Sequence, residues 1–409
     1  MKKMKKIDGT GVLPSVLKLE SWGFYLLCAF ALASNLSIAV GNVFLGALVL
    51  VVLLRAYKKR GDWRSALPEG QLGIALFVLM GVVFLSVLCS GNFGRGMRTF
   101  IEYYGYRMLG LYAILLLIKD RKRLLTIAVC VAASFAINNV AILYEGLILH
   151  DFRADGFVPT MTAGGFLSML LPSQLFLLLE GKLEKRYRLP LGFLTVLSVV
   201  ALLLNGTRGA WIAVAVSCVV IGGMAVQRRR KFFLGILAAA LVFVAVFSVS
   251  PILANRLASI GDMQLQSNTE RILLWKSAFH MFEDHPVLGV GFSRFREEYQ
   301  GGYILPEAKE PYLGHAHNNI MHMLAECGFL GVVALLFFWL CWFSYGVSSW
   351  RTTRSVAALI FLSVLLGIFM QGLTEYNMGN SAVMKLYWLL LGLCLQWMRL
   401  EKSLPQGTV

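Results

Sequence analysis

Histidines, amides and a carboxylate lie close together at one point of the sequence. Residues 314–319 read Gly-His-Ala-His-Asn-Asn, and residues 326–331 read Glu-Cys-Gly-Phe-Leu-Gly at the start of a long apolar stretch. Ionisable groups at membrane depth are costly, and those found there usually mark a functional site. A neutral imidazole, with a reference pKa of about 6.5, can serve as a general base. This segment therefore predicts proton-transfer chemistry at the edge of an apolar helix.

His317 is the candidate base. We expect a helix to begin near Asn318, which places His317 at the positive end of the helix dipole, where the neutral imidazole is favoured. His322 and Glu326 are spaced to share one helix face, and with His315 and Asn318 they are expected to support His317 or contact the substrate. The alternative is a purely structural role for His317, as a helix-capping or interfacial histidine. Two close histidines also suggest zinc, but the sequence shows no third ligand at suitable spacing.

Arg208 is the second candidate. Residues 205–211 read Asn-Gly-Thr-Arg-Gly-Ala-Trp, a tight turn directly before an apolar helix. The flanking glycines leave backbone N–H groups accessible and the helix start adds a positive dipole end, so the turn could bind an anion. The alternative is an interfacial arginine beside a tryptophan of the membrane belt.

The composition decides the class of protein that carries these residues. Of the 409 residues, 58% are hydrophobic and only 15% are charged, which excludes a soluble globular domain and indicates a polytopic membrane protein. The net charge of +16 comes from short basic clusters between apolar runs, as in cytoplasmic loops, so no nucleic-acid partner is expected. The seven cysteines lie in apolar segments without metal-ligand spacing and are interpreted as packing residues. No signal-peptide cleavage site follows the basic N-terminus, so the first helix should stay as an anchor.

Twelve apolar stretches are long enough to cross a bilayer, which predicts an all-α fold with about 12 transmembrane helices. They are residues 22–40, 42–57, 71–90, 100–118, 124–149, 164–180, 189–204, 210–226, 232–250, 317–345, 354–373 and 381–399. Every second loop carries a cluster of basic residues, and such loops are usually cytoplasmic. This predicts that both termini are cytoplasmic, as are the loops that hold Arg60, Arg121, Arg186, Arg229 and Arg351. The predicted organisation is a cytoplasmic tail at 1–20, helices one to nine within 21–250, an external helical loop at 251–316, helices ten to twelve within 317–400, and a cytoplasmic tail at 401–409.

The loop at 251–316 is much longer than the other connections and should form a small helical cap over the outer face. Its pattern predicts a helix over 268–279, capped by Ser267 or Asn268 and ended before Pro286. Arg271 lies on this helix, four residues before Trp275.

The remaining external cations are mostly arginines, whose planar fork is suited to phosphate. Anchoring to lipid phosphate is the alternative for any one of them. We expect Arg153 to contact substrate or to form a local ion pair with Asp155, and Glu375 to pair with an arginine or bind substrate. Arg95 and Arg98 are expected to face lipid.

Three of these motifs resemble one family. His317-Asn318 followed by Gly-Phe-Leu-Gly at 328–331 resembles the histidine motif of bacterial O-antigen ligases, and residues 206–211 resemble the arginine turn of the O-antigen ligase and polymerase superfamily. Arg271 with Trp275, followed by residues 284–291, resembles that superfamily's large external loop. The resemblance is strongest over 200–335. The loop at 153–166 departs from it, because no asparagine follows Pro159.

The resemblance implies an inverting, metal-independent glycosyltransferase with a GT-C-like fold, without a cofactor, in the bacterial inner membrane with its site facing the periplasm. The donor would be a glycan on undecaprenyl diphosphate, and the acceptor a lipid A-core sugar hydroxyl. Arg208 and Arg271 would bind the donor diphosphate, and His317 would take the proton from the acceptor hydroxyl.

Three other functions stay open on the sequence. An O-antigen polymerase uses the same donor with another acceptor. A protein O-oligosaccharyltransferase usually carries an added soluble domain. A twelve-span secondary transporter should show two related halves and broken helices near the midplane, and the sequence shows neither.

Overall fold

A computed structural model describes residues 14–58, 62–181, 183–225 and 247–403, together with residues 241 and 245. The predicted span at 232–250 lies mostly outside these residues. Arg60, Arg229 and parts of both predicted tails lie outside them as well. Over the described ranges the chain is helical and contains no β-strand, which agrees with the predicted all-α class.

The helices follow one another with short connections, except around the long external loop. They are α1 (Pro14–Ala33), α2 (Ile38–Lys58), α3 (Gln71–Cys89), α4 (Phe93–Phe100), α5 (Leu109–Leu117), α6 (Arg121–Leu147), α7 (Thr160–Glu180), α8 (Lys185–Asn205), α9 (Arg208–Ala225), α10 (Pro251–Ala258), α11 (Gln266–Asp284), α12 (Phe295–Glu298), α13 (Asn319–Thr353), α14 (Val356–Gln371) and α15 (Ser381–Lys402).

Nine helices in the described part of the chain are long and apolar enough to cross a membrane, and α14 is a shorter apolar helix of 16 residues. The protein is therefore a multi-pass membrane protein. The total of twelve spans stays a prediction. Helix α1 begins at Pro14, earlier than the predicted stretch at residue 22.

The predicted span at 100–118 stays a prediction, but its helix is irregular. The chain forms α4, a π-helical segment at Ile101–Tyr106 and the nine-residue α5. The wide turn places the Arg107 guanidinium 2.9 Å from Glu102 and 2.9 Å from the Met378 carbonyl oxygen. A buried guanidinium needs such partners, and they offset the cost of the irregular turn.

Helix α7 lies at the centre of the bundle, against α9 and α14. Its glycine pair makes the close helix contacts, because a Cβ on Gly164 would lie 3.0 Å from Thr207 and one on Gly165 would lie 2.8 Å from Val383. Small residues allow helix backbones to approach closely in membranes.

The segment at 251–316, predicted to be external and called the external segment below, has a small apolar core of its own. Leu274 and Ala278 of α11 pack with Phe295, Tyr299 and Ala316. Burial of these side chains holds the segment as a defined cap.

Helix α13 is broken at Gly328, which has φ 63° and ψ −160°. Residues 286–291 of the external segment lie against the break and satisfy the backbone groups that the helix leaves unpaired. The hydrogen bonds run from the N–H of Val290 to Ala325, of Gly291 to Glu326, of Phe329 to Pro286 and of Leu330 to Val287. The external segment is thus fixed directly to the helix that follows His317.

Candidate active site

The start of α13 sets the position of His317. The Asn318 side chain caps the helix by accepting hydrogen bonds from the N–H groups of Ile320 and Met321, and it donates to the Leu373 carbonyl at 2.9 Å. The predicted helix start near Asn318 is confirmed. His317 itself has φ 48°, in the left-handed region, so the chain turns sharply there and directs the imidazole away from the helix.

His317 forms a pair with Glu375. The imidazole Nδ1 lies 3.2 Å from both carboxylate oxygens of Glu375, in the turn that follows α14. An ionised carboxylate only accepts hydrogen bonds, so Nδ1 carries a hydrogen, and in the neutral imidazole the lone pair is then on Nε2. The pair is therefore arranged as a base held by a carboxylate.

Glu375 also pairs with Arg271 of α11, whose Nη2 lies 3.7 Å from Oε2. Burial alone would raise the pKa of the Glu375 carboxyl, but the hydrogen bond from His317 and the charges of His317, His315 and Arg271 lower that pKa below its usual range. Glu375 is thus an ionised carboxylate shared by a histidine and an arginine, which agrees with the expectation that it pairs with an arginine.

His315 packs edge-on against His317, with the ring centroids 4.1 Å apart. Burial, followed by the neighbouring His317, lowers the pKa of His315 to about 4. His315 therefore stays neutral at physiological pH and leaves His317 as the histidine beside the carboxylate.

His322 and Glu326 lie on one face of α13, as their spacing predicted, and both are buried. Their side chains are 3.4 Å apart, and Glu326 accepts a hydrogen bond from the Phe295 N–H at 2.9 Å. His322 Nδ1 lies 3.4 Å from the Ala316 nitrogen. These contacts tie the first turns of α13 to Phe295 and Ala316 of the external segment.

The expectation that the zinc alternative lacks a third ligand is wrong. Glu375 is far from His315 and His317 in sequence, but the donor atoms of all three lie within 4.8 Å of one another. Such a set resembles the two histidines and one glutamate of some zinc enzymes. The adjacent Arg271 competes for Glu375 and repels a cation, so the charge around the site favours the base–carboxylate arrangement.

Arg208 connects its turn to the external segment. Its Nη1 donates to the carbonyl and the hydroxyl of Ser259, and its Nη2 donates to Asn268 Oδ1 at 2.8 Å. Helix α11 begins at Gln266 without a side-chain cap, so the predicted capping role of Ser267 or Asn268 is wrong. The Asn268 side chain instead bonds Arg208 and the Ser259 carbonyl.

Arg153 and Arg256 lie near Arg208 and Arg271. The expected ion pair of Arg153 with Asp155 is absent from the described part of the chain, where the Arg153 side chain lies beside Gly206. Burial and then the charges of Arg153 and Arg271 lower the pKa of Arg256. The sequence gave Arg256 no role of its own; its only signal was the excess of arginine over lysine among the cations outside the basic clusters.

Arg95 and Arg98 lie on α4. Arg95 forms an ion pair with Glu297 of the external segment, so the expectation that it faces lipid is wrong. Glu297 lies on α12, far from α4 in the sequence, so the residues around Arg95 gave no indication of this ion pair.

These features define a membrane protein with a histidine–carboxylate pair and an arginine cluster at one end of its helices. Residues 193–336, about a third of the chain, match the family model described as O-antigen ligase. This segment contains Arg208, Arg271 and His317, and the match supports membership of the O-antigen ligase family. No curated protein matches the chain. The match suggests a glycosyltransferase-like enzyme.

Proposed function

We propose that the protein is an O-antigen ligase that transfers a glycan from undecaprenyl diphosphate to a lipid A-core sugar hydroxyl at the periplasmic face of the inner membrane. The observation that carries this proposal is the pairing of His317 with Glu375 beside Arg271. A base and a cation then lie side by side, as a transfer from a diphosphate requires.

The reaction is a single displacement. The acceptor hydroxyl oxygen bonds to the anomeric carbon while His317 Nε2 takes its proton, and the bond from that carbon to the diphosphate oxygen breaks with its electron pair. Attack opposite the leaving group inverts the anomeric centre. Glu375 stabilises the imidazolium that forms.

The arginines supply the electrophilic assistance in this proposal. Charge on the diphosphate increases as it leaves, and preorganised cations stabilise the transition state in which that charge develops. Arg271 and Arg208 take this role, so the mechanism needs no metal ion. Arg208 exchanges its contacts with Ser259 and Asn268 for phosphate oxygens.

The proposed membrane arrangement follows from the same assignment. It is a GT-C-like fold of twelve spans with both termini cytoplasmic and with residues 251–316 in the periplasm. The active site lies where the external segment meets the ends of α9, α13 and α14.

The experiment that tests the function is transfer by the purified protein from an undecaprenyl-diphosphate-linked glycan to lipid A-core, with glycan polymerisation assayed in the same reactions. We expect a glycosylated lipid A-core that forms only when the acceptor is present. Elongated lipid-linked glycan, formed without acceptor, would identify a polymerase instead, and transfer to neither acceptor would contradict the proposal.

A further inference from the structure

The turn before α9 is tied to α10 by hydrogen bonds. Arg256 Nε donates to the Gly206 carbonyl at 3.1 Å, and the Ser259 hydroxyl donates to the Arg256 carbonyl at 2.6 Å. Arg208 in turn donates to that hydroxyl. These bonds hold the Arg256 and Arg208 side chains beside the same turn.

A third segment, at Arg153 and Ala154, also contacts this turn. The Arg153 N–H donates to the Leu204 carbonyl at 3.2 Å, and Asn205 donates to the Ala154 carbonyl. A Cβ on Gly206 would lie 3.8 Å from Arg153 Cγ. Arg153 has φ 94°, so the surrounding contacts hold it in a conformation that is rare for residues other than glycine.

Arg256 differs from Arg208 in its free hydrogen-bonding capacity. The terminal nitrogens of Arg208 are occupied by Ser259 and Asn268, whereas among the described residues only Nε of Arg256 donates a hydrogen bond. No carboxylate lies within ion-pair distance of Arg256 in the described part of the chain. Arg256 therefore presents two unused N–H₂ groups beside three other arginines, where like charges are held together at a cost that a bound anion would relieve.

We propose that Arg256 is a further diphosphate-binding residue, which binds the second phosphate of the lipid-linked donor while Arg271 binds the phosphate nearest the sugar. The inference rests on the proposed function. Arg153 lies beside the same turn and adds a further positive charge to the site. A site with cations for two phosphates selects a lipid diphosphate over a lipid monophosphate, which carries less charge and spans less of the cluster.

The test is binding of undecaprenyl diphosphate and of undecaprenyl monophosphate to the full-length protein in nanodiscs. We expect the wild-type protein to prefer the diphosphate. Arg256→Gln should weaken diphosphate binding roughly 10- to 100-fold and leave monophosphate binding little changed, because one charge-assisted contact to the second phosphate is lost. Arg256→Lys keeps the charge and can still donate to Gly206, so its affinity for the diphosphate should lie between those of the wild-type protein and Arg256→Gln.

The matched control is Lys276→Gln, which removes one positive charge from an exposed position on α11. It should bind both lipids like the wild type. Excess phosphatidylglycerol in the nanodisc tests whether the site only anchors lipid headgroups. If phosphatidylglycerol competes for the site as well as undecaprenyl diphosphate does, the proposal is overturned. Equal losses for both undecaprenyl lipids in Arg256→Gln, or no loss for either, would also overturn it.

The two proposals fail in different ways. If the wild-type protein transfers glycan and binds the diphosphate while Arg256→Gln binds it normally, only the role of Arg256 is wrong. If the wild-type protein neither binds the diphosphate nor transfers glycan, the proposed function is wrong.

Discussion

Glu375 is shared by a histidine and an arginine, and this sharing gives the residues of the site their roles. The carboxylate fixes the hydrogen of His317 on Nδ1 and also holds Arg271 within 3.7 Å of itself. A change at Glu375 should therefore affect both the base and the anion-binding group.

Replacing His317 by alanine should lower glycan transfer by about a hundred- to ten-thousand-fold, which is the usual loss for one general base. Single-turnover transfer at saturating donor measures this effect, with donor binding as the check on folding. His315→Ala and His322→Ala should cost much less. Transfer at the wild-type rate by the His317 variant would contradict the mechanism.

Glu375→Gln should reduce transfer roughly a hundred-fold, because an amide can donate to Nδ1 and stabilise the wrong tautomer. The same assay with added chelator separates the two interpretations of this cluster. Wild-type activity that survives chelation agrees with a base held by a carboxylate, whereas activity lost on chelation and restored by zinc would establish a metal site at His315, His317 and Glu375.

Arg208→Lys should impair transfer severely, because an ammonium cannot reproduce the planar fork on a diphosphate. The structure provides a control for the anchoring role, since Asn268→Ala removes a contact of Arg208 without changing its charge. If the asparagine variant loses as much activity as the lysine variant, Arg208 acts mainly by anchoring the external segment.

The pKa of about 4 for His315 predicts a pH effect on stability. The unfolded chain, with a histidine pKa of about 6.5, binds this proton more readily than the folded one. The contribution of the neutral His315 to the free energy of unfolding is therefore complete above the unfolded pKa of about 6.5. It is lost as the pH falls towards 4. Thermal unfolding between pH 7.5 and 4.5 should therefore show a smaller decrease in His315→Gln than in the wild type, whereas His280→Gln, at an exposed position, should follow the wild type.

At the scale of elements, the broken helix α13 and the segment at 286–291 form one unit. The break at Gly328 leaves backbone groups that this segment satisfies, together with the Ser86 hydroxyl of α3, which donates to the Glu326 carbonyl. Gly289 packs so closely that a Cβ there would lie 2.4 Å from the Ala325 carbonyl oxygen. The Gly-Phe-Leu-Gly motif at 328–331 therefore has a structural role: it fixes α13 to the segment at 286–291. We expect the position of His317, just before α13, to depend on this connection.

Gly328→Ala should sharply reduce the amount of folded protein. The added Cβ would lie 2.5 Å from the Val287 backbone and would also strain a residue at φ 63°. Gly91→Ala is the matched control, because Gly91 has φ 67° with open space around it and should cost only about 1 kcal/mol. Fluorescence-detected size-exclusion chromatography with a melting curve measures both variants. Equal stability for the two would show that segment 286–291 does not constrain α13.

At the scale of the whole molecule, the proposed orientation puts the external segment in the periplasm. A cysteine at Gln300 on a cysteine-free background should react with an impermeant maleimide in intact cells or spheroplasts. Cysteines at Arg121 and Arg186 should react only after permeabilisation, because their loops are predicted to be cytoplasmic. Labelling of position 300 only after permeabilisation would invert the topology and remove the active site from the periplasm.

The sequence by itself determined the class of protein and the residue types of the site. Apolar stretches give membrane helices because every backbone group in lipid must be bonded within the chain, and this local rule can be read without a fold. The start of α13 at Asn318 and the end of α11 before Pro286 were predictable for the same reason, since capping and proline act on adjacent residues.

Only the tertiary structure decided which distant residues meet. Glu375 joins His317 across 58 positions of sequence, Arg256 joins the turn at Gly206 across 50, and Arg95 pairs with Glu297 across 202. Such contacts depend on the packing of helices that are far apart in the chain, and local patterns of hydrophobicity carry no information about them. The third donor beside the two histidines and the free arginine beside Arg208 became visible only when those helices were placed together.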